Sequence, residues 1–428
     1  MLLSGKSKSK NPEALRSGTV ERVTSKMFAV SPDPAAFENH EIFWKRLHDT
    51  DELTFGQTAK PPFTVTYKGI QYEFDTAAVE FDSFEDDPSL SWLNDREKEA
   101  VMDSDHAYGV EMIFADNNMD SFHLQVKLLY MLVPDMVALM DLNGYRAYSG
   151  KWARMTAESK VAPSPDCMFI IHATNDEQNG ESSVWLHTHG LTRCGTIELE
   201  ILGADLNNWR DLGNALDQIA HRLVGDNRFI DEMEPKLVGK TGDGRDIVVT
   251  WQRSEWSFRD FPKKIVGGPS DRDEEHSINT GVIYLYENED DQLDGKLTPI
   301  VKWADALSEN AIFYKPSSET RRMKALAQER VDWLKRLYNE LPEKEIIVKI
   351  GLKPDPEHGF DEDQYEYIWF QADEMRDDGF SATLTQDAFY VSGMVSGVMR
   401  ECRYDEIVDW RVMTSEDTIT PDSVYKLL

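Results

Sequence analysis

Ser183-Val184-Trp185-Leu186-His187-Thr188-His189-Gly190-Leu191-Thr192-Arg193-Cys194-Gly195-Thr196-Ile197-Glu198-Leu199-Glu200-Ile201 is the stretch on which the fold turns. Two segments of alternating character flank a turn bounded by Gly190 and Gly195, the pattern of an antiparallel hairpin. If His189 faces Thr196, then Leu186 meets Leu199 and Val184 meets Ile201 on one side. His187 then stands opposite Glu198 and Trp185 opposite Glu200, so His187, His189, Glu198 and Glu200 share the other side. Imidazole and carboxylate on one sheet face are the donors of a zinc or iron site or of a general-base pair. The competing and preferred reading is an ordinary polar face, in which case the chain has no cofactor. A divalent transition metal on His187, His189, Glu198 and Glu200 is the alternative. Cys194, a single thiol in the turn, adds little, because an isolated small thiol is more often inert.

Working outward, Phe63 to Tyr67 and Ile70 to Phe74 alternate around Lys68-Gly69 and predict a second hairpin. An acidic, irregular connection is expected over 80–105. Phe122, Leu124, Val126, Leu128, Leu129, Met131 and Leu132 leave little polar face, so a helix over 120–132 should be largely buried. Strands are expected near 108–114, 136–142, 167–173, 247–251 and 281–286. A helix is expected over 205–223, with Asp205 at its start and Gly225 at its end. The spacing of Met323, Leu326, Arg330, Leu334, Leu337 and Leu341 predicts one long helix over 318–341, stopped by Pro342. Beyond it, strands are expected over 346–350, 365–372, 380–384, 389–391, 398–402 and 407–412. The fold class is therefore α+β, multi-domain, with mainly antiparallel sheets and packed helices and a small strand-rich C-terminal domain. The expected divisions are a disordered basic tail over 1–26, an N-terminal α+β domain over 27–226, a middle region with a long connecting helix over 227–342, and the strand-rich domain over 343–428.

Composition limits the function classes. The 428 residues carry 46 Lys plus Arg against 78 Asp plus Glu, a net charge of −32, which repels phosphate backbones and anionic bilayers. The basic residues of the first 26 lie in a Ser-rich stretch without aromatics, and those of 321–336 alternate with acids. Neither makes a nucleic-acid surface, so no nucleic acid and no membrane are expected as partners. Three cysteines without a CxxC pair fit a reducing, cytoplasmic setting. Asp290 to Gly295 imitates a calcium loop, but Val301 occupies the place of its closing Glu. Gly239-Lys240-Thr241 imitates a phosphate loop with Glu234 where the first glycine belongs and a strand following. The acidic clusters at 355–363 and 373–378 read as solvated loops.

Tyr365 to Phe370, Phe380 to Leu384, Gly393 to Val398 and Glu406 to Trp410 follow the order of a YegJ-like bacterial domain of unknown function, which this region resembles. Ala382 stands where that family has glycine. Residues 188–200, preceded by the buried helix, are similar to a larger uncharacterised bacterial family carrying the same domain. The resemblance implies a cytosolic accessory or immunity-type protein and brings no catalytic residue. The leading expectation is a non-catalytic module that binds a protein partner, a basic one by charge. The alternative is a metal-assisted hydrolase on the 183–202 hairpin. Whether the chain is an enzyme, and its oligomeric state, stay open at this level.

Overall fold

The computed structural model describes residues 22–31, 45–46, 49–56, 61–80, 87–176, 183–225, 231–273, 276, 279–358 and 365–428. The chain divides into two compact units, one of Met1–Tyr148 with Pro165–Lys315 and one of Ser149–Ser164 with Pro316–Leu428. The fold is α+β, with three sheets and packed helices.

In the first unit, β1 (Ser25–Val30), β2 (Leu53–Phe55), β3 (Phe63–Tyr67), β4 (Ile70–Glu80), β5 (His106–Met112), β6 (Ala138–Asp141) and β7 (Arg146–Ser149) form a seven-stranded sheet ordered β2-β3-β4-β5-β1-β6-β7. The β3–β4 hairpin turns on Lys68 and Gly69, both at positive φ (49° and 81°), the conformation a two-residue turn needs to follow the strand twist. Helix α1 (Asn118–Leu132) is buried along most of its length. Its polar residues are accommodated individually: Gln125 donates to the carbonyls of Ser25 (3.0 Å) and Val110 (2.8 Å), and Lys127 pairs with Glu52 at 2.8 Å. Each bond offsets the cost of burying a polar group.

The same unit holds an eight-stranded sheet of β8 (Ile170–Asp176), β9 (Ser183–His189), β10 (Glu198–Ala204), β11 (Lys236–Lys240), β12 (Asp246–Arg253), β13 (Thr280–Tyr286), β14 (Thr298–Pro299) and β15 (Ile312–Phe313), ordered β15-β11-β12-β13-β10-β9-β8 with β14 beside β13. Strands β10 and β13 are parallel neighbours, so the expected boundary at 226 runs through one continuous sheet. That placement makes β11–β13 part of the body that carries the 183–201 stretch. Arg193 fastens the connection between β9 and β10 to β6. It is fully buried and forms a two-pronged ion pair with Asp141 (2.7 and 2.8 Å), and it donates to the Met168 carbonyl at 2.6 Å.

The second unit contains α2 (Gly150–Glu158) and a six-stranded antiparallel sheet of β16 (Glu345–Leu352), β17 (Glu366–Met375), β18 (Phe380–Leu384), β19 (Met399–Cys402), β20 (Ile407–Met413) and β21 (Thr418–Ile419), ordered β19-β18-β17-β16-β20-β21. Trp410 is fully buried among Val348, Phe370 and Leu334, with Nε1 donating to the Ala327 carbonyl at 3.3 Å.

Several expectations are corrected. The helix over 318–341 is two helices, Ser317–Glu329 and Val331–Glu340. Arg330 leaves helical geometry (φ −107°, ψ 18°) because its buried guanidinium is drawn to the Pro421 carbonyl. Residues 389–391 form no strand: the Glu366 carboxylate takes the amides of Phe389 (2.7 Å) and Tyr390 (2.8 Å), which supplants ladder bonding there. Part of the 80–105 connection is helical, Asp95–Met102, started by a capping box of Asn94 and Glu97. Residues 1–21 of the expected tail lie outside the described residues, and Ser25 and Lys26 belong to β1. Among the described residues, no helix is long and apolar enough to cross a membrane.

Candidate metal centre

Strands β8, β9 and β10 are consecutive neighbours, and their alternation places several histidines on one face. His172 lies directly opposite His187, and Ile170 opposite His189, so His172 is also diagonal to His189. Across β9 and β10, His187 faces Glu200 and Leu186 faces Ile201, a register two residues away from the one expected from the hairpin pattern. The cause is the connection, which folds a 3-10 turn over Thr192–Cys194 around the buried Arg193 in place of a tight turn. A two-residue slip keeps each side chain on its face, so the face survives and the pairing changes.

The two carboxylates of the expected metal set are committed elsewhere. Glu198 turns into the loop: Oε1 accepts from the amides of Gly190 and Thr192 (both 3.0 Å), and Oε2 accepts from Thr188 Oγ1 at 2.7 Å. Burial pushes its carboxyl up, and these bonds pull it back down. Glu200 pairs with Arg272, whose Nη1 reaches Oε1 at 2.8 Å and whose Nη2 reaches Oε2, and it accepts from Trp185 Nε1 at 3.1 Å. Cys194 is buried and its thiol is pushed up to about 12, which keeps it protonated and a poor ligand at neutral pH.

What the face gathers is imidazole. Ligand atoms of His172, His187 and His189 lie within 4.8 Å of one another. Their ring centres are 5.7 Å (172 to 187), 4.7 Å (172 to 189) and 4.9 Å (187 to 189) apart. A fourth ring, His276, comes from the segment before β13, centred 5.0 Å from His187 and 5.1 Å from His189. Trp185 stacks on His187 at 4.0 Å, and Tyr145 stands edge-on to His189 at 4.8 Å.

Electrostatics keep the three sheet histidines uncharged. Burial, reinforced by His189, His276, His172 and Arg272, lowers His187 to about 2. Burial with His172 and His276 lowers His189 to about 3, against a smaller opposing effect of Asp273. Burial and His276 lower His172 as well. Neutral imidazole is the form that ligates a metal. Among the described residues, Nδ1 of His187 and Nε2 of His276 are buried without a hydrogen-bond partner. A crowded set of imidazoles with orphaned nitrogens suits zinc, copper, nickel or iron and does not suit calcium or magnesium.

The other motifs resolve into structure. Asp290 to Asp294 lies in a short helix capped by Asn288, with Asp291 paired to Lys296 at 3.0 Å. Gly239 and Lys240 end β11 and Thr241 opens the turn into β12. His172 sat in an expected strand, but only the pairing of β8 with β9 sets it on the histidine face. His276 carried no such signal, since its segment has no periodicity.

Two family models cover more than half of the chain between them: Protein of unknown function (DUF4026) N-terminal over residues 25–163 and Protein of unknown function (DUF4026) C-terminal over 171–284. The chain belongs to the DUF4026 family. The DUF4026 C-terminal match contains His172, His187, His189 and His276, together with Arg272 and Glu200. No curated protein and no solved structure matches the chain.

Proposed function

We propose that this DUF4026 protein is a transition-metal protein that holds one divalent ion on His172, His187 and His189. The observation carrying this reading is the triad of imidazoles within 4.8 Å on one sheet face. Their depressed basicity means that no proton need be displaced near neutral pH before a metal enters. The reading departs from the metal set drawn from the hairpin pattern, since Glu198 and Glu200 are engaged by the loop amides and by Arg272. For the same reason metal-assisted hydrolysis is the less favoured activity, because it requires a base beside a metal-bound water and neither carboxylate is released for that role.

The test is metal content by mass spectrometry of untagged protein purified without chelator. One equivalent of metal in the wild type, lost in His187→Ala, is the expected result. An empty wild type, or a variant as well loaded as the wild type, would sink the reading.

Partner binding is a second reading with its own observation. Glu366 holds the amides of Phe389 and Tyr390, Asp355 Oδ2 accepts from the Ser392 amide at 2.7 Å, and Asp387 Oδ1 accepts from the Ser396 amide at 2.8 Å. The loop so pinned leaves Phe389 79% exposed, a preorganised apolar contact beside carboxylates. A basic protein partner, a cytoplasmic setting, a bacterial source, the YegJ-like nature of residues 365–410 and an accessory or immunity-type role belong with this reading, as does the expectation of no nucleic-acid partner. A purified basic partner should bind less tightly as salt rises and lose affinity in Phe389→Ala. A salt-insensitive complex indifferent to that substitution speaks against it.

A further inference from the structure

We infer that His276 is the fourth ligand, coordinating through Nε2, so that the ion closes a tetrahedral all-imidazole site and fastens His276 to the sheet. This rests on the metal reading above and extends it from three ligands to a complete first sphere.

Ring spacing to two of the three sheet histidines supports it. With metal–nitrogen bonds of about 2.0–2.1 Å, two imidazoles on a tetrahedral ion have ring centres about 5 Å apart. His276 lies 5.0 Å from His187 and 5.1 Å from His189, the same range as the spacings of 4.7, 4.9 and 5.7 Å among the three sheet histidines. A histidine serving as a base to a metal-bound water would stand one water molecule further out.

The nitrogens are also correctly assigned. His276 Nδ1 is 2.7 Å from Asp273 Oδ1, a carboxylate partner that fixes the proton on Nδ1 and leaves Nε2 as a bare donor. That Nε2 is buried and has no hydrogen-bond partner among the described residues. A buried lone pair without a partner is costly, and a metal bond satisfies it.

Arg272 holds the ring in place. Its Nε donates to the Gly267 carbonyl (2.8 Å) and its Nη1 to the His276 carbonyl (2.7 Å), while the guanidinium is anchored on Glu200 of β10. Glu200 thus acts as a positioning residue for the fourth ligand and not as a ligand itself. Four protein ligands leave no place for water or substrate, so the ion's role is structural, tying His276 to the sheet.

Cobalt(II) loading of the full chain tests this. The wild type should show the intense visible bands of a tetrahedral site, unchanged between pH 6 and pH 9. His276→Ala should still take up one cobalt on the three sheet histidines, with weaker bands that titrate near neutral or mildly alkaline pH as a bound water ionises. Asp273→Asn should lower affinity by about 10-fold to 100-fold with tetrahedral bands retained. A wild-type spectrum that already titrates, or a His276→Ala spectrum and affinity equal to wild type, overturns the assignment of His276 while leaving the triad intact. Failure of the wild type to bind cobalt at all, or equal uptake by His187→Ala, instead overturns the metal reading on which it rests.

Discussion

Among the described residues, two regions bring ligand atoms of three side chains within 4.8 Å of one another: His172, His187 and His189 in the first unit, and Asp355, Glu357 and His358 in the second. They differ in what else those groups are doing. Asp355 lies in a surface turn, its Oδ2 takes the Ser392 amide, and bonds from Ser392 hold its carboxyl below the usual range. His358 packs its ring 5.4 Å from Tyr390. The group builds a loop. The histidines instead project from strands whose backbones are already satisfied by the ladder, and a buried nitrogen of His187 has no partner among the described residues. Proximity of ligands is common on an acidic surface; proximity combined with burial, neutrality and unmet bonding capacity marks a site.

The contrast can be broken in order of expected effect. The histidine face depends on a connection pinned by a fully buried ion pair, so Arg193→Ala, which strands Asp141, should cost about 3–5 kcal/mol in urea unfolding. A loss below about 1 kcal/mol would mean that the connection is held by something else. Gly267 comes next: it has φ +80°, and a Cβ there would lie 2.5 Å from the Trp185 ring that stacks on His187. Gly267→Ala should cost about 1–3 kcal/mol and weaken metal uptake through the displaced indole.

Acid should discriminate more finely. His187 and His189 have folded values of about 2 and 3, below their ordinary 6.5, so the unfolded chain binds more protons as pH falls. Metal-free stability is therefore complete above 6.5 and declines toward pH 3, by up to about 1.4 kcal/mol per pH unit for each histidine. In His187→Gln the slope should flatten by up to one histidine's share, and an unchanged slope would show that the ring is not held neutral. The smallest effect belongs to the second region, where Asp355→Asn should leave bound metal unchanged within measurement. Loss of the ion in that variant would invert the comparison.

The sequence and the structure agree on the hairpin at Lys68-Gly69, the buried helix at 118–132 and the strands that flank Gly190, because each is encoded by local periodicity or turn chemistry. They part where one residue is claimed by a distant one. Arg330 interrupts an otherwise continuous helical pattern for the sake of Pro421, and Glu366 removes residues 389 and 390 from a strand. The site follows the same rule. Two of the four side chains read from the hairpin, His187 and His189, remain in the imidazole cluster, while Glu198 and Glu200 are withdrawn by Thr192 and Arg272.

What the sequence alone determined, then, was the α+β class, the acidic charge and the face on which the histidines stand, since a strand's two-residue period fixes a face even when the register slips by two. Tertiary structure decided which groups on that face were left to bind anything. The hydrogen-bond partners that consumed both carboxylates, and the strand and segment that delivered His172 and His276, become neighbours only when the chain folds, and no local pattern records them.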